Sequence, residues 1–72
     1  MNDFSLPRKF VDACVAKDED NSLKIAKLIA KKYNVSLEQE LQTLSDTAAI
    51  ALSIDEMTAV FTMAEDIRKH EV

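Results

Sequence analysis

Residues 52–57, Leu52-Ser53-Ile54-Asp55-Glu56-Met57, decide how the chain is read. Ser53 followed three positions later by Glu56 is a capping box. The hydroxyl accepts from a free backbone N–H of a first helical turn, and the carboxylate reaches back to the cap. Leu52 and Met57 hold the two positions of a hydrophobic staple around it, so a helix begins here. Downstream, Met57, Val60, Phe61, Ala64 and Ile67 recur at three- and four-residue steps. They draw one apolar stripe along a helix over 54–70. Lys69 and His70 stand in its last turn, where positive charge suits the helix dipole.

Working upstream, Ser36 and Gln39 form a second capping box. It opens a third helix over 37–52, with Leu37, Leu41, Leu44, Ala48 and Ala51 in a heptad-like pattern. Two repeats are too few for a free coiled coil, so packing within the chain is expected. Ser45-Asp46 offers a kink or a break into two shorter helices. One helix is preferred, because the stripe keeps its phase across that pair. A second helix over 22–34 starts near Asn21 or Ser22 and carries Ile25, Ile29 and Tyr33, flanked by Ala26, Leu28 and Ala30. Asn34 closes it, since Asn tolerates a left-handed helix end. A first helix over 6–17 has Ser5 as its cap and Pro7 in its first turn, where a missing N–H costs little. Leu6, Phe10 and Cys14 make its stripe, with Val11 and Val15 beside them. The run Lys17-Asp18-Glu19-Asp20-Asn21 reads as a polar connection. The fold class is therefore all-α: a compact bundle of four short helices forming a single domain over 1–72.

Size and composition bound the rest. Seventy-two residues at 8.1 kDa allow one domain. Gly is absent and Pro occurs once, which excludes phosphate-cradling glycine loops. Cys14 is the single cysteine, so neither an internal disulfide nor a multi-Cys zinc site can form. Ordering a chain this short costs on the order of 1.5 kcal/mol per residue, nearly cancelling the return from burial. Good caps, good packing or self-association as a homodimer must make up the difference. No targeting segment is recognised, and the mostly apolar stretch 47–54 is too short to span a bilayer. A cytoplasmic location is expected, with no membrane association. A net charge of −4 and a pI near 4.8 argue against general affinity for nucleic acid.

Little in the sequence suggests chemistry. Cys14 and His70 are the lone Cys and His, and Cys14 sits on an apolar stripe where a structural thiol is expected. Asp18-Glu19-Asp20 fails as a calcium loop. Counting from Asp18, the sixth position is Leu23 rather than Gly and the twelfth is Ile29 rather than Glu. Neither a metal nor a cofactor is expected, and the chain is read as a non-enzyme.

Two resemblances bear on function. Residues 29–36, Ile-Ala-Lys-Lys-Tyr-Asn-Val-Ser, resemble the first helix and turn of a helix-turn-helix motif. The likeness lies in Ala30, in Asn34 where that family has Gly, and in Val35-Ser36 opening the next helix. It implies DNA binding, with Lys24, Lys27, Lys31 and Lys32 on phosphates. The second half departs from the motif. Glu40 and Thr43 stand where apolar anchors belong, and the reading helix over 37–44 has no Lys or Arg. Residues 52–68, with Leu-Ser-Ile-Asp-Glu-Met, Phe61, Ala64 and Glu65, are similar to a segment of the Hha/YmoA family of small helical modulators of nucleoid proteins. That similarity implies a small bacterial or phage-type regulator. The family has a further helix after this segment, whereas this sequence ends at Val72.

The expected function is non-catalytic: a regulator, inhibitor or adaptor that binds another protein or a second copy of itself. Two surfaces are candidates. One is the last helix, whose apolar arc approaches half its circumference, with Met57, Val60, Met63 and Ile67 as contact residues. The other is Lys24, Lys27 and Lys31, aligned on one face of the second helix. Residues 1–36 carry a balance of +2 and residues 37–72 one of −6. The lysine face thus suits an acidic surface, either another copy's C-terminal half or a separate partner. The alternative is a helix-turn-helix-like DNA-binding regulator or a modulator of a nucleoid protein.

Overall fold

Four α-helices account for nearly all of the chain: α1 (Ser5–Val15), α2 (Glu19–Tyr33), α3 (Leu37–Ala51) and α4 (Ile54–Glu71). They come from a computed structural model that describes residues 5–71, the side chains of Ser5 and Glu71 excepted. The Ser5 cap expected for the first helix therefore lies outside the described side chains. The all-α bundle holds, and α3 is one continuous helix across Ser45-Asp46. The Cα radius of gyration is 10.9 Å, close to the roughly 11 Å of a folded chain this long.

The caps explain most of the boundaries. At α3, Gln39 N–H donates to Ser36 Oγ at 3.1 Å. At α4, Glu56 N–H donates to Ser53 Oγ at 3.3 Å, and the Ser53 hydroxyl donates to Glu56 Oε1 at 3.4 Å. Leu52 and Met57, the two staple residues, both pack against the core. Asn34 closes α2 in the left-handed conformation at φ 57°, and Val35 N–H donates to Ala30 O at 3.0 Å. This is a Schellman end, which satisfies carbonyls that the last turn would otherwise leave open.

The start of α2 corrects the sequence reading. Asp18, not Asn21 or Ser22, is the N-cap: its Oδ1 accepts from Asn21 N–H at 3.2 Å. Glu19 and Asp20 form the first turn, where carboxylates favour the positive end of the helix dipole. The acidic run is thus mostly helix, and the connection shrinks to three residues. It can be that short because Lys17 adopts φ 59° and makes a second Schellman end, with Lys17 N–H on Cys14 O and Asp18 N–H on Ala13 O. Ser22 is fully buried, and its hydroxyl donates to Asp18 O at 2.8 Å.

α1 packs on α2 and α4, and α3 packs on α4 and α2. Phe10, Ile29, Leu41, Val60 and Ile67 meet in the centre, each almost fully buried. The expected stripes point inward except at Phe61 on α4 and at three helix-end positions. Val15, Tyr33 and Ala51 are exposed, at the ends of their helices. Replacing Ile67 with Ala should lower unfolding stability by about 2–5 kcal/mol, whereas Ile50→Ala, on the surface, should change it by less than about 0.5 kcal/mol. Urea melts followed by helical circular dichroism read both.

Candidate interaction surface

The last helix is rotated relative to its expected orientation. Val60, Met63 and Ile67 are buried at 5% exposure or less, and Met57 is partly buried against the core. Val60, Met63 and Ile67 hold the bundle together and offer a partner no surface, and Met57 keeps only part of its own outside, so the contact face expected there is corrected to core packing. Phe61, expected inside, is instead 38% exposed. The cause is tertiary. α1 lies along the Met63 flank of α4, where Met63 and Cys14 share the floor of one groove. Lys24, Lys27 and Lys31 are exposed on α2 as expected, and Lys27 has an interaction partner.

Val15, Leu28 and Tyr33 are about half exposed on α1 and α2, but the most exposed large apolar side chains described are at the α3–α4 corner. Ile50 is 88% exposed and Ile54 is 75% exposed. Ala49 and Ala51 beside them are exposed as well. Phe61 lies seven residues after Ile54, on the same face of α4. A recess of about 260 Å³ runs beside Phe61, between Ala49 and Asp46 on α3 and Glu65 and Arg68 on α4. The corner is firmly built. Leu52 N–H closes α3 on Ala48 O at 3.1 Å, and Ser53 caps α4. Arg8 Nη2 reaches across from α1 to Glu56 Oε2 at 2.8 Å. Carboxylates surround the apolar residues: Asp46 lies one turn before Ile50, Asp55 follows Ile54, and Glu65 lies one turn beyond Phe61. Neither isoleucine could be singled out from the sequence, because Ile54 reads as part of a capping sequence and Ile50 as one more apolar residue of α3.

A second concavity, about 740 Å³, separates α1 from α4. Its rim sets Arg8 and Lys17 against Asp12, Glu19, Asp55, Glu56 and Asp66, so it is acidic. Cys14 lies at its floor, 2% exposed, with its thiol pushed up to about 11 by burial against the opposing effect of a hydrogen bond with Ser22. Near neutral pH this thiol stays protonated and is a poor nucleophile. His70 Nδ1 is engaged by Glu19 Oε2 at the start of α2. Among the described residues, no three His, Cys, Asp or Glu side chains converge on a point that could hold a metal ion. No helix described is long and apolar enough to cross a membrane.

No protein-family model, no curated protein and no solved structure matches this chain.

The ion pair at the corner has a pH signature. The hydrogen bond from Arg8, above all, holds the Glu56 carboxyl below the usual carboxylate range, aided by its charge and by Ser53. A depressed folded-state value means that the stabilisation is complete above the unfolded carboxylate pKa. It is lost as pH falls through the lower, folded value. Arg8→Gln should therefore move the Glu56 titration upward in side-chain carboxyl NMR. The stability gap between variant and wild type should close as pH drops through that range.

Proposed function

We propose that the chain is a small protein-binding module, a regulator, inhibitor or adaptor, that docks its α3–α4 corner into an apolar depression of another protein. The observation that carries this reading is the exposure of Ile50 and Ile54 on a capped corner. Burying an isoleucine is worth about 1.5–3 kcal/mol, and this chain has few large apolar residues to spare from its core. Two such residues held in solvent on a rigid corner are a contact waiting for a partner.

Charge narrows the partner. The corner is ringed by Asp46, Asp55 and Glu65, and residues 37–72 carry a balance of −6. Two corners meeting face to face would repel, so a partner with a basic rim fits better than a symmetric dimer through this surface. The same charge weighs against DNA. α3 presents Glu38, Gln39 and Gln42 outward, and Arg68, the nearby cation, is paired with Glu38 at 2.9 Å. Phosphate contacts need free cations on the reading face.

The test compares wild type with the double variant Ile50→Asp, Ile54→Asp, first shown by circular dichroism to keep its helices. A binding partner captured by wild type should bind the variant at least about tenfold more weakly. Equal capture by both proteins rejects the corner. Binding to mixed-sequence duplex DNA that weakens steeply with salt rejects the protein-binding reading itself.

A further inference from the structure

A different site opens between α1, α2 and α3, in a pocket of about 390 Å³. Ile29 and Leu44, both buried, form its floor, and Pro7, Val35 and the Tyr33 ring form its walls. One charged group lines it: Glu40, in the first turn of α3. We propose that this pocket binds an alkylammonium group, with Glu40 as its counter-ion and the apolar walls around its stem.

The Glu40 residue is only 6% exposed, more deeply buried than any other charged side chain described. Yet among the described residues burial is the one influence resolved on its carboxylate, with no hydrogen bond or opposite charge beside it. No sealed side-chain oxygen or nitrogen is left without a partner either. The two facts fit together if the carboxylate opens onto the pocket and not into packed protein. Burial pushes its pKa upward. The positive end of α3 offsets part of that cost and favours the ionised form. A cation seated in the pocket would favour the ionised form further. The sequence has a Glu where an apolar residue would pack without penalty.

The surroundings specify the missing partner. A metal ion needs several ligands, and the pocket offers one carboxylate. A planar guanidinium carries a wide, rigid fork of donors that needs room and further acceptors, whereas a compact ammonium on a flexible stem is satisfied by a point contact with a single carboxylate. Tyr33, half exposed at the mouth, adds a ring face on which a cation is attracted. The volume is about a dozen waters' worth, room for a stem of several carbons. The pocket shares no lining residue with the α3–α4 corner, so it stands or falls separately from the function proposed above.

The experiment titrates n-pentylammonium and its neutral analogue 1-pentanol into the full chain near neutral pH, following the amide NMR signals of Tyr33, Val35 and Leu44. The ammonium should bind at least about tenfold more tightly, a difference of about 1.4 kcal/mol. In Glu40→Gln, an isosteric change that removes only the charge, the preference should fall to within about twofold. Equal binding of the two probes by wild type overturns the proposal without any variant. So does a preference that survives in Glu40→Gln. A third probe, Nα-acetyl-lysine methylamide, identifies the source. Binding at least as tight as the simple amine assigns the pocket to a lysine side chain of a protein, and binding of pentylammonium in its place assigns it to a free amine.

Discussion

The fold rests on a seam where one or two large side chains from each helix meet: Phe10 from α1, Ile29 from α2, Leu41 from α3, Val60 and Ile67 from α4. Helices of 11 to 18 residues are marginal alone in water, because nucleating a helix costs more than its first hydrogen bonds return. They persist here because each lays its apolar side on the same seam. The chain has no internal disulfide to share the burden. This constraint gives meaning to departures from it. In a large protein an exposed isoleucine or a buried glutamate is unremarked. In a core of about fifteen side chains, each such placement competes directly with stability.

Short-range chemistry was legible in the sequence, and long-range packing was not. Ser36, Ser53 and Asn34 do what their residue types and spacings imply, since a cap depends on atoms within four residues. Asp18 was missed because Glu19, Asp20 and Asn21 are too polar to extend an apolar stripe. A first helical turn needs no stripe, however, and it favours acids. On α4 the spacing gives the width of the apolar arc but not which edge a neighbour covers. Val60, Ala64 and Ile67 mark its centre in either case. Met63 goes inside and Phe61 outside because α1 lies along the first edge, and nothing within α4 encodes that choice. Glu40 left one trace. It stands at a position where the helix-turn-helix pattern puts an apolar anchor, and the structure does turn that position inward.

The connections matter as much as the core. Without glycine, the chain turns at Lys17 and Asn34 by placing ordinary side chains in the left-handed region, at a modest conformational cost. The return is three short linkers, each fixed by backbone hydrogen bonds into the helices it joins. Side chains on such turns are presented in one arrangement. The α3–α4 corner gains most: a closed helix end, a reciprocal serine–glutamate cap and an arginine from α1 all converge within a few residues of Ile50 and Ile54. A surface ordered before contact loses little freedom on binding, so more of the burial energy survives as affinity.

In the binding mode proposed for the corner, charge and apolar area divide the work of recognition. The excess of carboxylates in the second half of the chain acts over about a Debye length, roughly 8 Å in physiological salt. In that mode it would speed approach of a basic surface and slow approach of an acidic one. It contributes little once water is excluded, because rim ion pairs remain solvated and are worth little. The two isoleucines behave in the opposite way. They do nothing at a distance and supply most of their free energy only after contact, which places their effect in the dissociation rate. In the proposed binding mode, an acidic rim around an apolar centre would select partners by charge and retain them by burial, and a chain of 72 residues can carry both on a single turn between two helices.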